Sequence, residues 1–169
     1  MTAFQFTATS VPEELADCVK DSVVNIFGTM FGDSPQEKNQ DDQPMGEGVV
    51  GIISFVGDVT WLMMVALPKQ SAQNLSLKFA GFELDYDSPE MGDVVGEFAN
   101  VLAGDIVARL GKEGVKVAMS LPTILRGQDV EPLLPRGIPS KRLTFQLNGD
   151  MIFVKVAGAR EAYGRKPGT

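Results

Sequence analysis

The stretch Gly92-Asp93-Val94-Val95-Gly96-Glu97-Phe98-Ala99-Asn100-Val101-Leu102-Ala103-Gly104-Asp105, followed closely by Ser120-Leu121-Pro122-Thr123-Ile124-Leu125-Arg126-Gly127, decides how the chain is read. At about 100° per residue, Glu97 and Asn100 lie roughly 60° apart on a helix and can reach one target. Their arc also carries Asp93, Gly104 and Ala108, all polar or small. The opposite arc carries Val95, Phe98, Ala99, Leu102, Ile106, Val107 and Leu110, the wide apolar stripe of a helix packed on a core. One face holds the fold and the other looks outward. Gly96 and Gly104 sit inside this helix, where each costs on the order of 1 kcal/mol relative to alanine. Gly104 lies on the arc of the pair, where a missing side chain leaves room for something docked closely.

Upstream, Phe4 and Phe6 alternate with polar residues as a short edge strand would. Ser10 and Glu13 have capping-box spacing, Pro12 suits a first turn, and Leu15, Val19, Val23, Ile26, Phe27 and Met30 form a helical stripe that stops before Gly32. From Gly32 to Gly48 the composition turns to Asp, Glu, Gln, Pro and Gly, which predicts a solvated loop; its acids do not follow Ca²⁺-loop spacing. The apolar, β-branched runs Val49 to Val56 and Val59 to Leu67, split by Gly57-Asp58, predict a largely buried hairpin. A short amphipathic helix over Lys69 to Phe79 ends at Gly81, and Glu83 to Glu90 reads as an acidic connector.

Beyond the quoted helix, Val115 to Leu121 alternates as a strand that Pro122 closes. Gln128 to Ser140 contains three prolines and no periodicity. Arg142 to Leu147 and Met151 to Val156 flank Asn148-Gly149-Asp150, a strong hairpin signal. These elements predict a two-layer α/β (α+β) sandwich, in which a mainly antiparallel sheet packs against two long helices with a third helix at one side. The 169 residues suit one domain, expected over 1–157, with a polar tail over 158–169. The order helix, strand, strand occurs from Ser10 to Leu67 and again from Gly92 to Val156. Setting Asn25 against Asn100 places Ser22 opposite Glu97, which reads either as a duplicated fold with one copy of the pair or as chance likeness of two amphipathic helices.

Composition narrows the chemistry. The chain is 44% hydrophobic and 22% charged, enough for a globular core. Its formal net charge of -7 argues against nucleic acid as a partner. There is no histidine, which removes imidazole acid–base catalysis, Ser-His and Cys-His nucleophiles and most zinc sites. The lone Cys18 falls in a helical apolar pattern and reads as a buried thiol. No apolar run approaches the roughly 20 residues needed to cross a bilayer, and no early basic-then-apolar segment is seen, so a soluble cytoplasmic protein without membrane contact is expected. Taken alone, Glu97 and Asn100 would still read as a solvated helix face. Pro122 and Gly127 read as turn and strand-end devices, and Met63 and Met64 as core or interface filling. Asp93 and Asp105 flank the pair, though Asp93 also suits a helix N-terminus.

Four segments taken together carry more. They are Gly96-Glu97-Phe98-Ala99-Asn100 with Ala103-Gly104, Ser120-Leu121-Pro122-Thr123-Ile124 with Gly127, Gly137-Ile138-Pro139, and the Gly51-Ile52-Ile53 to Gly57-Asp58-Val59 hairpin. In this order the chain resembles the CheX, CheC and FliY family of phosphatases, which remove phosphate from the chemotaxis response regulator CheY, and it is most similar to CheX. The resemblance implies a CheC/CheX-like fold and a phosphatase acting on the phosphoaspartate of a CheY-like response regulator. Glu97 would bridge to the regulator's invariant lysine, and Asn100 would hold and orient the attacking water. Gly96, Ala99, Ala103 and Gly104 would let the partner come close. In relatives with two sites a second Glu-x-x-Asn lies on the first helix; here that place reads Ser22-x-x-Asn25, as in a single-site CheX. The resemblance further implies a homodimer joined through sheet edges and no cofactor of the chain's own, with Mg²⁺ carried by the regulator. The alternative is a non-catalytic module of the same fold that binds a receiver domain or a flagellar-switch component.

Overall fold

The computed structural model describes Phe4 and residues 10–39 and 43–158. Helix α1 (Glu13–Phe31) is followed by strands β1 (Gln36–Lys38), β2 (Glu47–Gly57) and β3 (Trp61–Pro68), then helices α2 (Lys69–Ala80) and α3 (Pro89–Lys112). Strands β4 (Val117–Met119), β5 (Thr123–Gln128), β6 (Ser140–Leu147) and β7 (Asp150–Gly158) complete one antiparallel sheet, ordered β1-β6-β7-β3-β2, with β4 and β5 both on the far edge of β2. This is the expected two-layer α+β arrangement. Among the described residues, no helix is long and apolar enough to cross a membrane.

Strand alternation divides the apolar residues between two faces. On β3, Met63, Val65 and Leu67 point into the main core with the helices, while Met64 and Ala66 join Val50 and Phe153 in a smaller cluster on the outer face. Both methionines are therefore packed within the chain. The β2–β3 hairpin closes where Phe55 faces Trp61, with rings stacked 3.9 Å apart. The β6–β7 hairpin turns through Asn148 and Gly149, both at positive φ, as a two-residue turn requires.

The chain passes twice through helix, edge strand and hairpin. Strand β1, which follows α1, pairs with β6 of the second hairpin; β4 and β5, which follow α3, pair with β2 of the first. The two hairpins meet at the centre, β3 against β7. This crossed arrangement agrees with a duplicated fold.

Several expectations need correction. Gln36–Lys38 forms β1 inside the segment read as a loop, because its three backbone positions complete an edge on β6 and need no buried side chain. Helix α1 starts at Glu13 with Pro12 as its cap residue and no side-chain cap bond, so Ser10 stands two residues too far upstream for a capping box. Helix α3 starts at Pro89, inside the segment read as connector, with proline in the first turn where its missing N–H costs nothing. The strand expected over Val115 to Leu121 shrinks to β4, and an unforeseen strand, β5, begins at Thr123. Phe4 lies in a turn with its side chain buried in the core, not in a strand; Phe6 and the tail beyond Gly158 lie outside the described residues.

Candidate functional site

Contacts with the sheet and with α1 position α3. Gly51 of β2 lies beneath it: a Cβ at Gly51 would meet Ala99 Cβ and Ile124 Cδ1, both at 3.3 Å, so the missing side chain is what lets the helix lie so close. The N-terminal end is held by Arg126 of β5, whose guanidinium donates to the carbonyls of Tyr86 at 2.9 Å and Ser88 at 3.2 Å. Tyr86, itself buried, donates its hydroxyl to the Gly48 carbonyl at 2.9 Å. Sideways, α3 packs on α1: Phe27 and Phe98 meet edge to face at 5.0 Å, and Asn25 donates to Asp105 at 3.2 Å. Arg109 holds the other oxygen of Asp105 at 2.7 Å. Burial pushes the Asp105 carboxyl up, but its side-chain hydrogen bonds, that of Arg109 first, together with the charge of Arg109 outweigh it and leave its pKa below the ordinary value.

On the outward side, Asp93, Glu97, Asn100 and Gly104 follow one another at helical spacing. Asp93 and Glu97 are exposed, and Asn100 and Gly104 are half-buried. Among the described residues, the side chains of Glu97 and Asn100 have no hydrogen-bond or ion-pair partner. The small residues divide. Gly104 belongs to the stripe, and a Cβ there would touch nothing in the chain. Gly96 and Ala103 do not belong to it: both are buried, Ala103 fully, so they support the stripe from beneath and offer a partner no surface. A Cβ at Gly96 would meet Ile124 at 3.5 Å and Pro122 at 3.8 Å, ordinary contact distances. Ala99 is likewise fully buried.

The residues that flank α3 were the hardest to foresee. Phe55 faces Met119 and Ile52 faces Thr123, so two residues of β2 stand opposite Ser120, Leu121 and Pro122. This is a bulge with one extra residue, bridged by Ser54 N–H to Ser120 Oγ at 3.0 Å and Ser120 N–H to the Ser54 carbonyl at 2.9 Å. It turns Pro122 toward Gly96 and leaves Leu121 85% exposed. Pro122 was the available signal, since a proline cannot donate to a ladder and so marks an edge or a bulge.

Chemically, the stripe offers a carboxylate for a cation and a carboxamide that can both donate and accept. It is an open helix face, not a pocket. The larger cavities lie elsewhere, about 380 Å³ over the outer sheet face near Met64 and Phe153 and about 440 Å³ beside Cys18 and Arg109. Among the described residues, no three His, Cys, Asp or Glu side chains converge as metal ligands.

The family model described as "Chemotaxis phosphatase CheX" matches residues 49–146, more than half of the chain and all of α3. No curated protein matches significantly. Among solved structures, a CheC-like superfamily protein from Shewanella sp. PV-4 is similar at a TM-score of 0.75 and 18% identity, covering 85% of this chain and 96% of that one. The chemotaxis protein CheX of Vibrio vulnificus is similar at 0.73 and 20%, covering 85% and 97%. A chain of the CheX–CheY–BeF3–Mg²⁺ complex of Borrelia burgdorferi is similar at 0.70 and 19%, covering 85% and 96%. At these identities the structural likeness establishes the fold.

Proposed function

The chain belongs to the family of the chemotaxis phosphatase CheX, and from that membership we propose that it hydrolyses the phosphoaspartate of a CheY-like receiver domain, Glu97 holding a lysine of the receiver and Asn100 orienting the attacking water. The observation that carries this reading is the pair itself. A carboxylate and a carboxamide share the outward stripe of α3, unengaged among the described residues, beside a helical glycine that nothing inside the chain requires.

The chemistry asks for little more. An acyl phosphate is a labile bond, and phosphoryl transfer depends on positioning and charge stabilisation, so no nucleophile or general base is needed from this side. A carboxamide can hold water without adding charge next to the phosphoryl group, where a second carboxylate would repel it. Mg²⁺ arrives with the receiver, as part of the substrate. That a structural relative is found in complex with CheY, BeF3 and Mg²⁺ supports a receiver as partner. The same reading includes a cytoplasmic setting and a homodimer paired through sheet edges, for which the exposed Leu121 and Leu125 on the β4–β5 edge speak.

The decisive experiment mixes the protein with phosphorylated receivers from the same genome and follows loss of phosphate. Acceleration is expected, and Asn100→Ala should reduce it on the order of a hundredfold, the scale of losing the position of one reactant, while binding persists. Glu97→Ala should weaken binding as well as turnover. A wild-type protein that binds a receiver without hastening hydrolysis would instead be a non-catalytic receiver-binding module of the same fold.

A further inference from the structure

The face of the sheet turned away from the helices is not bare. Register across β6, β7 and β3 sets Arg142 opposite Lys155 and Lys155 opposite Met64, and the next row sets Phe153 opposite Ala66. Met64, Ala66 and Phe153 are buried there beneath two loop segments. Gly46 and Asp129 tie those segments together: Asp129 N–H donates to the Gly46 carbonyl at 2.8 Å, and Gly46 N–H donates to Asp129 Oδ1 at 2.6 Å. The tied loops and the sheet border the cavity of about 380 Å³, a volume within the range of small-molecule sites.

Its polar wall carries a conflict. Arg142 and Lys155 form a direct cross-strand pair, and like charges so placed destabilise a sheet. Both are half-buried, beside an apolar floor. The Arg142 guanidinium lies 4.0 Å over the Phe153 ring and donates to the Gln43 carbonyl at 2.6 Å, which fixes where it stands. The Lys155 ammonium has no hydrogen-bond or ion-pair partner among the described residues. The two acids that share the cavity leave it unanswered. Asp129 accepts from Gly46 and, through Oδ2, from Gln128 at 3.3 Å, and Glu131 makes no ion pair with Lys155.

We propose that this cavity binds an aliphatic carboxylate, its acid group against Lys155 and Arg142 and its chain on Met45, Met64 and Val130. One negative charge relieves the pair of cations, while Asp129 and Glu131 on the loop side disfavour a doubly charged phosphate. The ring face of Phe153 is already taken by Arg142, so aliphatic and thioether groups are left to meet the ligand, and flexible methionines adapt to a hydrocarbon chain. The site lies across the sheet from α3 and does not depend on hydrolysis there.

The probe is octanoate, followed by NMR of the methionine methyl groups in the full chain, with Met45→Leu and Met64→Leu assigning the two signals. Millimolar octanoate is expected to shift both signals saturably, and octanol and octylammonium should bind about tenfold more weakly or worse. Lys155→Gln should weaken octanoate binding about tenfold, yet raise the thermal midpoint of the free protein because it ends the repulsion between the cations. No saturable shift, octanol binding as tightly as octanoate, or undiminished affinity in Lys155→Gln overturns the site. Tighter binding of octyl phosphate would overturn the choice of a carboxylate, and a lowered midpoint in Lys155→Gln would make that lysine part of the fold instead.

Discussion

Helices α1 and α3 meet through Phe27 and Phe98 and, aligned with Leu15 on Met91, bury corresponding positions along their lengths, yet their outward stripes carry different chemistry. Inward residues answer to a shared core and change only in compensation, as where Phe27 stands opposite Ala103 and Ser22 opposite Phe98. Outward residues answer to whatever docks on them. Burial is therefore a better ruler than residue identity for comparing two amphipathic helices. The match of Asn25 with Asn100 is a coincidence of letters, since the one exposed asparagine hydrogen-bonds Asp105 and the other is half-buried on the stripe.

The comparison can be broken at its core. Phe98→Ala and Phe27→Ala should each cost about 3–5 kcal/mol in urea unfolding, the range for truncating a buried ring. A cost below about 1 kcal/mol for either would show that the two helices do not share one core. The glycines give a smaller effect of opposite sign. Gly28→Ala and Gly104→Ala add a Cβ without a clash and should each raise stability by about 1 kcal/mol, while Gly104→Ala slows receiver dephosphorylation. Full turnover in Gly104→Ala would remove the reason given for that glycine.

Titration sharpens the seam between the helices. Cys18 on α1 corresponds to Val94 on α3, and burial pushes its thiol up to about 11 from 9.0. The rise of about two units lowers the thiolate fraction near neutral pH about a hundredfold, so iodoacetamide should label Cys18 far more slowly in the folded than in the unfolded protein. Comparable labelling rates would place the thiol in open solvent. The last effect is the smallest. Because the folded pKa of Asp105 is lowered, its contribution is present above its unfolded value of 3.8 and is lost as pH falls through the folded value. Asp105→Asn should thus destabilise the protein at pH 7 and make less difference at strongly acid pH, as read from denaturant midpoints.

What the sequence shows in advance follows from which groups carry the signal. Val49 to Leu67 announces its hairpin because both strands are largely buried, although the strands part at Phe55 and Trp61, so the loop runs from Val56 to Thr60 and is not the two-residue Gly57-Asp58 turn expected. Asn148-Gly149 announces the second because only a few residues tolerate positive φ. The pairing of Glu97 with Asn100 is legible because helical spacing alone puts them together. Strand β1 is silent because it is made by backbone hydrogen bonds on an edge, with no buried side chain to set a period. The bulge at Ser120 to Pro122 hides β5, since a one-residue insertion shifts alternation from one face to the other and ends the apparent strand. Gly96 and Ala103 enter as partner contacts through the resemblance, not through spacing, and only packing reveals that they lie beneath the stripe.

The exchange of edge strands has a consequence for how the molecule must assemble. Each repeat lends its outermost strand to the other's hairpin, so neither sheet half is finished by its own segment. The chain is interlocked, in the sense that Gln36–Lys38 waits for Ser140–Leu147 and Glu47–Gly57 waits for Thr123–Gln128. Such distant pairings raise contact order and slow folding relative to a chain of independent hairpins. Cut between α2 and α3, the two fragments should fold only when mixed, and together they would reconstitute a single sheet.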